Sequence, residues 1–164
     1  MPPRVIIVMG VAGSGKTTIG ELLADKLGWQ FNDADDFHPA ANVAKMSAGE
    51  PLNDEDRAPW LAAIRAHIEA CLASDTGAVV TCSALKKVYR DVLEVDAARV
   101  KFVHLDGSRE LLWERISGRK NHFMKPAMLD SQLATLEVPD NALTVDIAPE
   151  PAAIVATICE SLDL

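Results

Sequence analysis

Eight consecutive residues near the N-terminus, Gly10-Val11-Ala12-Gly13-Ser14-Gly15-Lys16-Thr17, fit the pattern G-x-x-x-x-G-K-S/T. Glycine at three of these positions lets the backbone curl until successive N–H groups converge on phosphate oxygens. A helix starting near Lys16 points its positive dipole end at the same spot. Lys16 adds a mobile point charge for β- and γ-phosphates, Thr17 offers a hydroxyl to Mg²⁺, and Thr18 extends the contact by one residue. This is the phosphate-binding loop (P-loop) of nucleotide-dependent proteins, and ATP with Mg²⁺ is the expected occupant. The same loop serves kinases, GTPases and ATPase motors. No Asn-Lys-x-Asp segment that would read guanine is present, and Thr81-Cys82-Ser83-Ala84 matches the Ser-Ala turn of GTPases only in part. Asp106 ends an apolar run where an ATPase could place a metal ligand, but Asp106-Gly107-Ser108 reads as a turn and a helix cap.

A second group of chemistry-bearing residues is Asp33-Ala34-Asp35-Asp36-Phe37-His38-Pro39. In an extended chain Asp33 and Asp35 share a face. One carboxylate could then hold a magnesium-bound water while the other accepts the hydrogen bond of an alcohol. Helix capping and a solvated acidic turn are the blander readings. A calcium loop fails, because Phe37 and His38 stand where a ligand and a glycine are needed. His38, beside three carboxylates, is read as functional. Lys45, Arg57, Lys86, Lys87 and Arg90 are the cations available to an acidic substrate, Lys87 being the one best read as solvated helix surface. Arg115, Arg119 and Lys120 lead into a polar stretch, residues 119–139, where positive groups on a closing flap could cover ATP and exclude water.

The elements that must position these groups follow from apolar patterning. Val5 to Met9 is a short, wholly apolar run, as expected of a strand buried on both faces of a parallel sheet. Thr18, Leu22, Leu23 and Leu27 then recur at helical spacing up to a stop at Gly28. Further strands are expected over residues 29–32, 78–82, 100–105 and 143–147. Helices are expected over 39–46, along Trp60, Leu61, Ile64, Ile68, Cys71 and Leu72, over 86–93 with Ser83 as cap, after a Ser108 cap, over 126–136, and along Ile154, Val155, Ile158 and Leu162. The three tryptophans are expected in the core. Strands alternating with helices from end to end predict a three-layer α/β/α fold with a mainly parallel five-stranded sheet. One domain with two helical inserts, about 39–60 and 119–139, accommodates the whole pattern.

The chain has 164 residues and a formal net charge of -8, which opposes binding to a nucleic-acid backbone, and no basic patch offsets it. The three cysteines, Cys71, Cys82 and Cys159, are widely spaced and read as buried free thiols. No apolar stretch approaches membrane-spanning length and no leader is visible, so a cytoplasmic protein is expected.

Beyond the loop, several segments recur in a familiar order: Asp33 to Pro39, Asn42, Lys45-Met46, Gly49 to Asp54, Asp56-Arg57, Pro59-Trp60-Leu61, Cys82 to Lys87, Tyr89-Arg90-Asp91, His122-Phe123, Ser131-Gln132 and Leu136-Glu137-x-Pro139. In order and spacing the chain resembles, from residue 5 to about 139, the gluconokinase family, small-molecule P-loop kinases related in fold to shikimate and nucleoside monophosphate kinases. The resemblance implies ATP-dependent phosphorylation of D-gluconate at its 6-hydroxyl, a homodimer, and a lid over the nucleotide. By position it implies Asp35 at the acceptor hydroxyl and Asp33 near the metal. His38, Lys45, Arg57, Ser83, Lys86 and His122 fall on the substrate side, and Arg115 and Arg119 on the nucleotide side. Met128 departs from the leucine expected there. Rival readings are a kinase for another small acceptor, such as shikimate or a nucleoside monophosphate, a nucleotide-binding regulatory module without an acceptor, and a nucleic-acid end kinase, which the acidic balance disfavours. In all the catalytic readings Lys16→Ala is expected to abolish turnover while circular dichroism shows the fold intact; near-normal turnover would remove the loop from the mechanism.

Overall fold

The run Val5–Met9 forms strand β1, and each of its side chains is buried. The computed structural model describes residues 3–118 and 126–164. After β1 come α1 (Lys16–Leu27), β2 (Gln30–Asp33), a 3₁₀ turn (Ala34–Phe37), α2 (Ala40–Ser47), α3 (Asp54–Ala73), β3 (Ala78–Thr81) and α4 (Lys87–Leu93). Then follow β4 (Val100–Asp106), α5 (Arg109–Ser117), α6 (Pro126–Thr135), β5 (Leu143–Asp146) and α7 (Pro151–Leu162). The strands form one sheet in the order β2-β3-β1-β4-β5. All four neighbouring pairs are parallel, with Val5 opposite both Ala78 and Val100.

Alternation along β1 divides the core in two. Ile6 and Val8 face a cluster with Ile19, Leu23 and Ala24 of α1, Leu112 and Ile116 of α5, and Ile154, Val155 and Ile158 of α7. Val5, Ile7 and Met9 face the opposite cluster, built on Trp60, Leu61, Ile64 and Ile68 of α3 with Tyr89 and Leu93 of α4. The expected three layers are therefore present, and a sheet covered on both faces explains why β1, β3 and most of β4 carry no polar alternation. Among the described residues no helix is long and apolar enough to cross a membrane.

Two local expectations are corrected. The buried stripe of α1 is Ile19, Gly20, Leu23 and Ala24, while Leu22 is 42% exposed. The helix is rolled by about one residue because it lies so close to the sheet at Gly20. A β-carbon there would come within 2.8 Å of both Phe31 and Thr81. Ser83 is not the cap of α4. That helix starts from Lys86 without a side-chain cap, and the free N–H of Lys87 is taken instead by Glu137 Oε1 at 2.7 Å. By contrast Ser108 does cap α5, accepting from the N–H of Leu111 at 3.1 Å.

Helix α3 is held at its start by a reciprocal box in which Asn53 Oδ1 accepts from Asp56 N–H (2.8 Å) and Asp56 Oδ2 accepts from Asn53 N–H (3.0 Å). Ile64, fully buried on its inner face, anchors it to the sheet. Ile64→Ala is expected to lower unfolding free energy by about 2–5 kcal/mol in urea denaturation; a loss below about 1 kcal/mol would mean that α3 does not carry this half of the core.

Candidate active site

Parallel strands leave their C-terminal ends on one edge of the sheet, and the glycine-rich turn and the acidic turn lie there. Gly10 follows β1, Asp33 ends β2, and Cys82-Ser83 follows β3. Asp33 is in register with Thr81, which is in register with Val8. At parallel-strand spacing this sets the Asp33 backbone about 10 Å from β1, a span that a phosphate and an acceptor group can bridge.

The turn after β1 needs its glycines for two different reasons. Gly13 has φ +83 and its missing β-carbon would collide with the Leu112 carbonyl and Ile116, each at 2.7 Å. Gly15, at φ +86, caps α1 in left-handed geometry with open space where a β-carbon would stand. Open space beside the N-terminus of α1 suits an anion that must approach the backbone closely. Lys16 Nζ donates to the carbonyls of Gly10 (3.0 Å) and Val11 (3.2 Å), which folds the ammonium back over the turn. Ser14 is 1% exposed, and its Oγ is a buried hydroxyl with no hydrogen-bond partner among the described residues. Such a group calls for a ligand or water to satisfy it. The N–H of Ala12 donates to Gln132 Oε1 of α6 at 2.8 Å, so the helix of the second insert is tied directly to the turn.

A cavity of about 220 Å³ is lined by Ala12, Gly13, Gly15, Lys16, Thr17, Asp33, Asp35, Thr81, Cys82 and Ser83. Asp33 and Asp35 share it, though not through extended chain. Asp33 Oδ1 accepts from the Asp35 N–H at 2.9 Å and caps the 3₁₀ turn, which swings Asp35 alongside. Desolvation in the cleft, and then the nearby Asp33 charge, push the Asp35 carboxyl above its usual range. Its side chain is nevertheless 82% exposed. Cys82, fully enclosed beside it, has a thiol pushed up to about 12 by burial. Thr17 and Asp33 offer hard oxygen donors, which fit Mg²⁺. Among the described residues no three His, Cys, Asp or Glu side chains gather as a closed metal site.

On the far side of Asp35 lies His38, its side chain 5% exposed, with Nε2 3.9 Å from Asp35 Oδ1. The ring stacks on Trp60 at 4.5 Å and 9°. Trp60 is thus core, as expected, and also a wall of the site. Burial lowers the His38 pKa; Arg57 adds to that and Asp35 opposes it. Beyond, Tyr89 Oη donates to Asp54 Oδ1 (2.6 Å) and accepts from Arg57 (3.2 Å). Arg57 and Lys86 both come within 3.9 Å of the same Asp54 oxygen and lie 5.6 and 5.7 Å from the Tyr89 ring centre. Two cations and a phenol converging on one carboxylate form a group suited to an acid substrate.

The other expected residues divide. Thr18 and Arg115 border a separate cavity of about 330 Å³ with Gly13, Ser14, Gly15, Ile19, Pro151 and Ile154, which shares Gly13 and Gly15 with the first. Arg115 donates to the Ile147 carbonyl at 2.6 Å. Lys45 is committed to Asp56 Oδ2 at 2.7 Å and joins α2 to α3. Arg90, 5% exposed, spends its guanidinium on the carbonyls of Ala84 (2.7 Å) and Glu137 (2.8 Å), and Lys87 pairs with Asp91 on the surface. These two are structural. Arg119, Lys120 and His122 lie outside the described residues. Sequence reasoning assigned no role to Tyr89, Asp54, Asn42 or Gln132. Their signal was present only as matched positions, because the contacts that matter join distant segments.

A P-loop at the end of the central strand, an acidic turn at the end of β2 and a 2-3-1-4-5 parallel sheet together define a small-molecule P-loop kinase, and residues 12–144 match the shikimate kinase family profile. Within that class the chain is 51% identical to a gluconokinase of Gluconobacter oxydans, over 85% of this chain and 78% of that one. It is 44% identical to a probable gluconokinase of Rattus norvegicus over 98% of both. A crystal structure of a gluconokinase from Sinorhizobium meliloti superposes with a TM-score of 0.83 at 43% identity, covering 98% of this chain and 96% of that one. The chain belongs to the gluconokinase family.

A carboxyl with a raised pKa stays protonated to higher pH than usual. Carbon-13 NMR titration of Asp35 is therefore expected to give a midpoint above the ordinary value of about 3.9, and Asp33→Asn to move it downward by removing a like charge. A midpoint at or below the ordinary value would contradict the crowding described.

Proposed function

We propose that this chain transfers the γ-phosphoryl group of ATP to the 6-hydroxyl of D-gluconate, giving 6-phosphogluconate and ADP. The observation that carries this is the single cavity shared by Lys16 and Thr17 of the phosphate cradle, the carboxylates of Asp33 and Asp35, and Ser83. Gly10 to Thr18 would hold the phosphates, and Thr18 and Arg115 border the side where the nucleoside would lie. Thr17 and Asp33 are the residues suited to Mg²⁺, which when bound neutralises phosphate charge.

Catalysis on this reading is positioning and charge stabilisation. The Lys16 ammonium moves from the Gly10 and Val11 carbonyls to the transferring group. Asp35 orients the alcohol and accepts its proton; desolvation and the neighbouring Asp33 charge raise its carboxyl above the usual range, which makes it a better base than an ordinary aspartate. Arg57, Lys86 and Tyr89 receive the carboxylate end in place of Asp54, with His38 and Ser83 on the polyol. Lys45 supports this group through Asp56. Arg119 and His122 complete the proposal as lid and substrate contacts, and a cytoplasmic homodimer belongs to the same reading.

With Mg-ATP, an acceptor panel of gluconate, shikimate and nucleoside monophosphates is expected to show product with gluconate at least about a hundredfold above the others, the discrimination available when a site's polar groups are left unpaired. Preference for shikimate would reassign the acceptor, and ATP binding without any product would favour a regulatory module. Asp35→Asn is expected to cut kcat by about 10²–10⁴-fold with little change in the KM for ATP; an unchanged kcat would take Asp35 out of the acceptor role.

A further inference from the structure

Asn42 of α2 is 3% exposed and sits behind the His38 ring, away from the cavity. Its Nδ2 donates to the main-chain carbonyl of Asp56 at 2.8 Å. A carbonyl oxygen can only accept, so the amide orientation is fixed: the opposite rotamer would set oxygen against oxygen. The same Nδ2 lies 3.2 Å from His38 Nδ1. An amide nitrogen has no acceptor capacity, so Nδ1 must present its lone pair, and the proton of the neutral ring resides on Nε2. Nε2 is the atom that faces Asp35 Oδ1, at 3.9 Å. A ring flipped by 180° would keep its stack but set Cδ2–H against the Asn42 amide and lose that hydrogen bond. Trp60 stacks against its face, and Trp60 is itself anchored through its indole N–H to the Ala34 carbonyl at 2.7 Å.

We propose that Asn42 is a positioning residue that locks His38 in the Nε2–H tautomer, making the imidazole a donor to Asp35 and to the acceptor hydroxyl rather than a base. The distinction matters chemically. An Nε2 that already carries a hydrogen cannot take the alcohol's proton, so that proton goes to Asp35, while the Nε2–H donates to the carboxylate or to the alcohol oxygen and holds the pair in line. Burial keeps the ring neutral, with Arg57 acting in the same sense and Asp35 against it. The part concerning the acceptor rests on the functional reading above; the tautomer does not.

Long-range ¹H–¹⁵N NMR on the full wild-type chain at pH about 8, above the ordinary imidazole range, tests the tautomer without any substrate. His38 is one of four histidines, so its signals are assigned by their loss in His38→Gln. The expected pattern has Nδ1 at an unprotonated and Nε2 at a protonated ring-nitrogen shift. The reverse pattern, or an averaged pair, would overturn the proposal. In turnover, Asn42→Asp replaces the donor with an acceptor and is expected to reverse the pattern and lower kcat about tenfold, the worth of one hydrogen bond to a charged group, with KM for ATP unchanged. His38→Gln, whose amide nitrogen reaches the Nε2 position, is expected to recover most of the kcat lost in His38→Asn, which reaches only Nδ1. Equal activity in those two variants would contradict a donor role. Absence of gluconate phosphorylation by the wild type would sink the functional reading while leaving the tautomer result standing.

Discussion

Each group in the cleft is placed by reference to β1. Its side chains are completely buried on both faces, and its backbone is bonded in parallel to β3 on one side and β4 on the other. The strand therefore has no freedom to slide or roll. A one-residue slip would exchange its two apolar faces and lift Gly10 away from the anion site. Gly10 itself leaves no margin, since a β-carbon there would stand 2.7 Å from Ser14 Oγ and 3.0 Å from the Leu105 carbonyl. The geometry of the phosphate cradle is thus inherited from hydrophobic burial several residues away.

The electrostatics of the cleft run against those of the molecule. A chain with a net charge of -8 would repel both ATP and a sugar acid at long range. At short range that repulsion is countered by Lys16 at the loop and by Arg57 and Lys86 around Tyr89. Asp54 stands among the second group of cations, and Asp33 and Asp35 line the cavity with Lys16. The arrangement separates roles by position: cations at the two ends where anionic groups would lie, Asp33 and Asp35 where an alcohol and a metal would meet.

The sequence made the cradle legible because its spacing is local: eight adjacent residues carry the loop, and the strand and helix beside it have clear periodicities. The alternation of strands and helices likewise carried the layered architecture. Local pattern failed where tertiary packing decides. The face of α1 was misjudged because Gly20, which carries no hydrophobic signal, must face Phe31 and Thr81. Ser83 was read as a cap because nothing in the sequence says that Ala84 takes φ +45 and turns the chain aside, a left-handed conformation costing about 1–3 kcal/mol for a non-glycine residue. Arg90 was counted as available because a buried guanidinium bonded to two carbonyls 47 and 6 residues away looks, in one dimension, like any surface arginine. Tyr89 and Asn42 went without roles for the same reason, their partners lying 35 and 14 residues off in the chain.

Cys82 has a consequence for the chemistry the cleft will tolerate. Its sulfur adjoins the cavity yet is 3% exposed, and its ionisation is pushed to about 12. Only the thiolate attacks peroxides, disulfides or alkylating reagents. At neutral pH its population is then lower by about five powers of ten than that of the thiol. Burial thus makes Cys82 a poor nucleophile toward such reagents although it lines the cavity.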